Sequence, residues 1–392
     1  MLLTLFLVLF IDLLGFGIVI PILPYYAESF GATAWDLGWL MTIYSLMQFL
    51  FAPLWGQLSD RIGRRKVLLI SIFGTVLSLT GLGFASSLVW LFIARFCAGI
   101  MTANISTAYA YVADVTTQEN RSKGMGLIGA GFGLGFIFGP AIGGILSQHG
   151  YSTPLFFAAG LSALNLILAI FILKEPPLTH EQRKANRDRK FNRTTLKEVL
   201  SHPLTGSTTF LFFLLTLAVV QMEVSFALYL KTRFSKTALQ AGYLLGTMGL
   251  IMAFIQGGLI GKLSKLFGDI RLVLIGTVLM SAGMSWFGQT FDYTHLIYAM
   301  ILMAFGHGIL HPTLSSLCSQ GAAPSRRGVT MGIFHSSSSL ARIVGPPMSG
   351  YLFDHLGAGT PFIAASGVLL LAFVLAKVVQ KKWEPQMKEN LS

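Results

Sequence analysis

Residues 56–68, "GQLSDRIGRRKVL", lie between two long apolar segments of the sequence. One acid and four basic side chains stand close together there: Asp60, Arg61, Arg64, Arg65 and Lys66. The chain as a whole is poor in charge, since 11% of its 392 residues are charged, 54% are hydrophobic and the mean hydropathy is +0.68. A soluble chain of this length needs far more charge to cover its surface. The composition therefore predicts a polytopic membrane protein with this stretch as a loop between two helices.

Twelve segments of the sequence are long and apolar enough to span a membrane, which takes about 20 residues as a helix. They are residues 2–24, 38–58, 66–86, 88–112, 122–147, 153–173, 205–230, 239–261, 270–290, 295–319, 328–352 and 360–380. We predict an all-α integral membrane protein with an N-terminal six-helix bundle (1–173), a basic cytoplasmic linker (174–203), a C-terminal six-helix bundle (204–380) and a cytoplasmic tail (381–392). A capping box from Thr195 to Glu198 predicts a short surface helix at the end of the linker.

The distribution of positive charge predicts the orientation of the chain. With a cytoplasmic N-terminus, the inside loops, the tail and the inner end of the last span carry 23 Lys and Arg, and the outside loops carry three. Since cytoplasmic loops are enriched in these residues, we expect both termini inside, in a prokaryotic-style inner (plasma) membrane. The net charge of +12 then reflects topology and does not indicate nucleic acid. The first 24 residues lack a basic start and a cleavage site, so we interpret them as a transmembrane helix.

The two halves of the sequence repeat each other at a nearly constant offset. "GKLSKLFGDIRLV", residues 261–273, matches residues 56–68 at an offset of 205. "GPPMSG", residues 345–350, matches "GPAIGG", residues 139–144, at an offset of 206. Two six-helix halves in the same orientation imply a parallel repeat, which is the architecture of many secondary transporters. The repeat predicts two pseudo-symmetric bundles.

Four patterns in order resemble the major facilitator superfamily, in its branch of twelve-span drug/proton antiporters. Residues 56–68 resemble its signature for the loop between the second and third helices. "LGFGIVIPILP" at 14–24, "RFCAG" at 95–99 and "GFIFGPAIGG" at 135–144 resemble signatures of the first, fourth and fifth helices. The resemblance covers residues 2–380 and includes tetracycline and quinolone-type multidrug efflux pumps. It implies the major facilitator fold and a transporter that works by alternating access.

The resemblance implies that the charged loop does more than set topology. In the superfamily the equivalent residues latch the cytoplasmic side in the outward-facing state, which assigns this role to Gly56, Asp60, Arg64 and Asp114. Gly56 lets the second helix approach a neighbour closely, and Asp60 is placed to pair with Arg64. The basic residues also have a simpler interpretation as anchors on anionic lipid headgroups, but topology alone needs neither the Gly nor the Asp. Lys265 replaces Asp60 in the second half, so we expect a weaker or different latch there.

The fifth predicted span carries the antiporter motif of the resemblance. Its residues are Gly135, Gly139, Pro140, Gly143 and Gly144. Small residues let membrane helices pack closely, and ordinary tight packing is one interpretation of this span. The resemblance adds a second, in which a bendable helix helps to seal the cavity of an antiporter. Both interpretations can hold together.

Two acids lie inside predicted spans, where an ionisable group costs about 2.5–3.5 kcal/mol or more. Asp12 stands where tetracycline/proton antiporters have an acid in the first helix, and Glu223 resembles the acid in the seventh helix of quinolone-type pumps. A carboxyl group in apolar surroundings can load and release a proton as access to it changes. We therefore predict proton coupling at Glu223 and Asp12. The alternative for each is a fixed structural ion pair, for instance with Arg95 or Arg342.

Four further groups inside the spans are candidates for the substrate cavity: Arg95, His307, His311 and Arg342. The resemblance implies that Arg95 orients helices and supports proton coupling. Arg342 has no motif behind it, and either completes an ion pair or binds an anionic group of a substrate. A lone histidine in a membrane helix is more often structural. His307 and His311 lie one turn apart on one helix face, which favours a proton or substrate role.

Taken together, the patterns predict a proton-coupled exporter of hydrophobic small molecules and not an enzyme. The sequence contains no P-loop, no metal-ligand spacing and no nucleophile–base arrangement, so we expect no metal and no cofactor, with the proton gradient as the energy source. The expected partners are a lipophilic small molecule, protons and membrane lipids, with the chain as a monomer. A carrier of anionic amphiphiles or metabolites is an alternative, because the spans hold two acids against two arginines and three histidines. A non-transporting receptor is disfavoured by the intact loop motif.

Overall fold

The computed structural model describes residues 2–102, 105–116, 121–176, 193–322 and 327–389, and every regular element in these ranges is helical. The α-helices are α1 (Leu2–Ser29), α2 (Ala34–Ile62), α3 (Arg64–Gly83), α4 (Leu88–Met101), α5 (Ile105–Val115), α6 (Arg121–Leu146), α7 (Thr153–Ile172), α8 (Arg193–Ser201), α9 (Pro203–Phe234), α10 (Ala238–Phe254), α11 (Ile260–Phe267), α12 (Asp269–Gln289), α13 (Tyr293–Gln320), α14 (Arg327–Leu356) and α15 (Thr360–Glu389). A 3₁₀ turn (Ser147–His149) follows α6, and a π turn (Ile255–Leu259) joins α10 to α11.

Within the described ranges, nine stretches are long and apolar enough to cross a membrane. They are Leu5–Ser29, Ala34–Ile62, Arg64–Gly83, Thr153–Ile172, Pro203–Phe234, Ala238–Phe267, Asp269–Gln289, Tyr293–Gln320 and Thr360–Gln380. Helices satisfy their backbone hydrogen bonds internally, which is what a segment in hydrocarbon requires. The predicted all-α membrane fold is thus confirmed, whereas the full count of twelve spans stays a prediction. The predicted fourth span, 88–112, is described as α4 and α5 on either side of residues 103–104.

By packing, the chain divides into two compact units. The first consists of Met1–Thr33, Trp39–Lys190 and Lys236–Thr247, and the second of Ala34–Gly38, Phe191–Ser235 and Met248–Ser392. Most of the predicted linker, residues 177–192, lies outside the described residues, as do the side chains of the predicted tail. A helix, α8, is present where the surface helix is predicted, and its place on the membrane surface stays a prediction. The side chain of Thr195, the first residue of the predicted capping box, is also outside the described part.

The two units use the same helix pairings in the same order. In the first unit α1 packs on α6 and α7, and α3 packs on α7 and α4. In the second unit α9 packs on α14 and α15, and α12 packs on α15 and α13. The sequence repeat is therefore also a repeat of packing.

Local signals fix the helix ends that matter for the site. Pro203 is the first residue of α9, whose end at Ser235 has a left-handed φ of 51°. Asp292 caps the start of α13, where its Oδ1 accepts the backbone N–H groups of Thr294 and His295 at 2.6 and 3.3 Å. These two hydrogen bonds lower the pKa of the exposed Asp292 carboxyl. Each cap satisfies backbone groups that the helix itself leaves open.

Candidate functional site

Arg64, the first residue of α3, joins three helices at one end of the first unit. Its Nη2 lies 2.6 Å from Oδ1 of Asp60 on α2, and its Nε donates to Oδ2 of Asp114 on α5 at 3.0 Å. Its Nη1 donates to the hydroxyl of Ser59 at 2.5 Å. The Arg64 side chain is only 6% exposed, so its charge needs close acceptors, and the two carboxylates and the Ser59 hydroxyl supply them. The structure brings the predicted Asp60, Arg64 and Asp114 together and adds Ser59. We call these four side chains the latch cluster.

Gly56 lies one turn before Asp60 in α2. Its carbonyl oxygen accepts a hydrogen bond from the Ser59 hydroxyl at 2.7 Å. Because Ser59 also accepts from Arg64, the glycine is linked to the latch cluster through one side chain. The first four positions of the quoted stretch, Gly56 to Ser59, thus form one hydrogen-bonded turn.

Glu175, which follows α7, caps the start of α3. Its Oε1 and Oε2 accept the backbone N–H groups of Arg64 and Arg65 at 2.7 and 3.0 Å. Gly63 has a φ of 107°, and a Cβ added there would lie 2.8 Å from the Glu175 carboxylate. A negative charge at a helix N-terminus is favourable because the backbone N–H groups and the helix dipole point at it. Glu175 is not among the residues predicted from the sequence, where its only signal is an acid just after an apolar span.

The glycines of the antiporter motif hold α6 against its neighbours in the first unit. A Cβ on Gly135 would lie 2.9 Å from the backbone of Leu13, and one on Gly139 would lie 2.6 Å from Gly17. Gly143 faces Ile18 in the same way, and Gly144 faces the start of α10. The small residues therefore make a close backbone crossing of α1 and α6. Pro140 lies inside α6 between these contacts.

Arg95 on α4 is buried against the ring of Tyr44 on α2. Its Cζ lies 4.1 Å from the ring centroid, a cation–π arrangement. The Tyr44 hydroxyl accepts a hydrogen bond from Thr102 at 2.9 Å. Gly99, one turn after Arg95, lies next to the Tyr44 backbone, so the small residue of the "RFCAG" pattern lets the two helices meet. The structure thus places Arg95 at a helix contact, and Tyr44 is a partner that the sequence analysis missed.

Asp12 lies half-buried in α1 of the first unit. Its neighbours Phe10 and Leu13 pack next to Gly131 of α6. The acid is therefore on the helix that makes the close crossing with the antiporter motif. The other predicted coupling residue, Glu223, belongs to the second unit.

Glu223 on α9 forms a two-point ion pair with Arg342 on α14. Nη1 of Arg342 lies 2.8 Å from Oε2, and Nη2 lies 3.3 Å from Oε1. The carboxylate side chain is 10% exposed and the guanidinium side chain is 35% exposed. Of the two arginines considered as partners, Arg342 is the one in contact. Parallel hydrogen bonds of this kind are stronger and more directional than single ones.

Three histidines and two phenylalanines pack together in the same unit. The ring of Phe212 on α9 meets His311 edge to face at 5.5 Å between centroids, and meets His335 at 5.9 Å. Phe212 stacks on Phe334 at 4.1 Å, and His307 lies 6.2 Å from His311. The two predicted histidines thus share one cluster with His335. Nothing in the sequence pattern identified the phenylalanines, which stand in uniformly apolar segments.

Comparison with known proteins agrees with this geometry. The family model described as Major Facilitator Superfamily matches residues 5–343 and 259–391. The chain is similar to the tetracycline resistance protein, class E, of Escherichia coli, with 30% identity over 378 residues that cover 94% of this chain and 93% of the relative. It is similar to multidrug resistance protein 2 of Bacillus subtilis (strain 168), with 29% identity over 390 residues that cover 97% and 96%.

A solved structure, that of the human organic anion transporter MFSD10 (TETRAN), is similar over most of both chains. It has a TM-score of 0.70 and 25% identity, and the match covers 96% of this chain and 98% of that chain. The likeness therefore extends over both units and is not confined to the charged loop.

Proposed function

This chain belongs to the Major Facilitator Superfamily, and on that basis we propose that it is a proton-coupled secondary active transporter that exports lipophilic drugs. Relatives named for tetracycline and multidrug resistance match it over nearly their whole length. Its substrates are then hydrophobic small molecules such as tetracyclines, moved out in exchange for protons. The positive charge of the predicted inside loops supports an inner-membrane location with both termini cytoplasmic.

The observation that carries this proposal is the ion pair between Glu223 on α9, which is long and apolar enough to cross a membrane, and Arg342 on α14, which covers the predicted span 328–352. With the pair intact, the two charges compensate each other in surroundings of low polarity. A proton on Glu223 removes that compensation and leaves a guanidinium that needs water or another anion. Proton binding therefore changes which arrangement of the two helices has the lower free energy, which is what coupling requires.

The latch cluster supplies the second element of the cycle. Arg64 holds the ends of α2, α3 and α5 through charged contacts that are largely removed from water. Contacts of this kind favour the one conformation in which they form. We assign Asp60, Arg64 and Asp114 to closing the cytoplasmic side, and the α6 glycines to sealing the cavity during exchange.

An organic anion is a second candidate substrate, and Arg342 favours it. This guanidinium is more than three times as exposed as its partner carboxylate, so an acidic ligand can reach it. MFSD10 (TETRAN), the similar human protein of known structure, is named as an organic anion transporter. The histidines around Phe212 add donors for an acidic group in the same unit.

The test is transport by the purified protein in proteoliposomes with an imposed pH gradient. An acidic lumen should drive tetracycline or a lipophilic cationic dye into the vesicles, and a protonophore should abolish this uptake. Absence of gradient-dependent flux across a panel of cationic and anionic compounds would refute the transport proposal. A thermal-shift screen with the same two panels separates the two substrate classes, because ligands stabilise the state that binds them.

A further inference from the structure

The second unit repeats the charged loop with its charges inverted. At the offset of 205, Asp269 stands where Arg64 stands, and Lys265 stands where Asp60 stands. Gly268 precedes α12 with a φ of 76°, just as a glycine of positive φ precedes α3. The loop therefore keeps its backbone conformation and changes its chemistry.

Asp269 gathers hydrogen bonds from two other helices. Its Oδ1 accepts from the hydroxyl of Ser264 on α11. Its Oδ2 accepts from the hydroxyl of Ser316 and from Nε2 of Gln320, both on α13 and both at 3.0 Å. Hydrogen bonds to a charged acceptor are stronger than neutral ones. Asp269 thus ties the ends of α11, α12 and α13 together, as Arg64 ties α2, α3 and α5; we call this arrangement the Asp269 clamp.

The helical segment that leads to the Asp269 clamp, α10 followed by α11, is interrupted by a π turn before it reaches the clamp. Residues Ile255–Leu259 form a π turn, which breaks the regular hydrogen-bond ladder and is frequent at functional sites. Ile255 is fully buried beside Leu272 and Ile309. On the other side, a Cβ added to Gly257 or Gly258 would meet nothing within 4 Å. The turn is anchored by one side chain and has free space around its glycines.

The corresponding helix of the first unit, α2, is continuous but carries a proline at the same place. Pro53 lies inside α2, and the offset of 205 aligns it with Gly258. An interior proline removes a backbone hydrogen bond and kinks a helix. Proline in one unit and a glycine π turn in the other are different chemical devices with the same local effect. Their equal position indicates that this helix has to bend just before its clamped end.

We propose that Asp269 is a positioning residue of the transport cycle, because it holds α11 to α12 and α13 as one block and thereby confines bending to the π turn. The proposal rests on the transport function proposed above. Without the clamp, the segment beyond the turn moves by itself, and bending of α10 no longer displaces the ends of α12 and α13. The second unit then loses the joint movement of the ends of α11, α12 and α13.

The clamp is tested by the distance between two spin labels on the full-length protein in lipid. Labels at Lys265→Cys on α11 and Ser319→Cys on α13, with Cys97→Ala and Cys318→Ala to remove the natural thiols, report whether the two ends stay together. Asp269→Ala should broaden the distance distribution and slow drug transport about tenfold. Ser316→Ala with Gln320→Ala should give a smaller broadening, because the bond from Ser264 remains. Lys262→Ala, at an exposed position of α11, is the control and should stay within about twofold of wild type.

The hinge is tested by replacing Gly257 and Gly258 together with alanine. The free space means that no clash follows, and alanine favours a regular helix over a bend. Transport should fall about fivefold while the thermal midpoint does not decrease. Gly261→Ala is the matched control, since it also meets nothing within 4 Å but lies beyond the π turn. It should transport at wild-type rates.

The outcomes separate the inference from the proposed function. Unchanged label distances in Asp269→Ala overturn the clamp, whether transport is slowed or not. If that variant does not fold, the Ser316/Gln320 double variant and the glycine pair decide in its place. Equal transport by the glycine pair and by Gly261→Ala overturns the hinge. A wild-type protein without proton-driven flux refutes the transport function, while the label distances still test the clamp.

Discussion

We predict that removing Arg342 and removing Glu223 from their ion pair destabilise the protein by different amounts. Arg342→Met leaves a carboxylate that is 10% exposed and has lost both of its strong hydrogen bonds. Leaving a buried charge without its partner costs about 3–5 kcal/mol. Glu223→Gln leaves a guanidinium that is 35% exposed. Because water screens and hydrates that group, we discount its cost to about 1–3 kcal/mol.

The double variant Glu223→Gln/Arg342→Met removes both charges and keeps the volume. Replacement of a buried ion pair by uncharged groups of similar size is often close to neutral, so we expect its stability within about 1 kcal/mol of wild type. The two single costs then exceed the double cost, and a double-mutant cycle reads the difference as coupling. The measurement is reversible unfolding in mixed micelles, followed by tryptophan fluorescence. Additive losses, or equal losses in the two single variants, would refute this account of the pair.

Transport assays on the two single variants and the double variant distinguish a loss of stability from a loss of proton coupling. Glu223→Gln resembles a permanently protonated acid, so it should lose uptake driven by the pH gradient while substrate exchange down its own gradient survives. The double variant should be as stable as wild type and still uncoupled, which a purely structural pair does not predict. Proton-coupled transport at wild-type rates by Glu223→Gln would move the coupling role elsewhere, with Asp12 as the next candidate.

Three further predictions concern the first unit and the topology. Asp60→Asn should slow transport at least about tenfold with normal expression, because it removes a charged contact used in one conformation; normal flux would leave the cluster a topological role only. Glu175→Ala should cost about 0.5–2 kcal/mol of stability by removing the cap of α3, and an unchanged unfolding midpoint would contradict the cap. Cysteines in place of Arg121 and Arg187 should react with impermeant reagents only from the cytoplasm, and one in place of Thr237 only from outside; any exchange of sides would reverse the orientation.

Much of the fold follows from the length of the apolar segments, and the Asp60–Arg64 pair of the latch cluster follows from spacing. Asp60 and Arg64 are four residues apart across one glycine, so their pairing is a local matter that the sequence predicts. Asp114 was placed with them by the resemblance. Glu175, in contrast, reaches Arg64 over a separation of 111 residues. The pattern of a single sequence does not predict which distant acid caps the N-terminus of α3, because that contact depends on how α3 packs on α7.

The sequence likewise did not predict which arginine pairs with Glu223. Arg95 and Arg342 were both open as partners because both lie in apolar spans and both carry the right charge. Packing decides between them: α9 lies against α14 in the second unit, which puts Arg342 within reach of the carboxylate. Arg95 instead stacks on Tyr44 in the first unit. An ordinary tyrosine in an apolar helix gives no signal of that contact.

The repeat explains why the scaffold was easier to predict than the chemistry. The helix packing follows the repeat: α1 packs on α6 as α9 packs on α14, and both α6 and α14 contain a Gly-Pro pair. The ionisable groups of the spans do not, since the repeat offsets align Glu223 with Ile18, Arg342 with Phe136, and Arg95 with Met300. Each half must bury its helices in the same way, so selection for packing acts on both copies. A proton needs only one carboxylate to couple to, and one half can therefore carry that group while the other keeps an aliphatic side chain in its place.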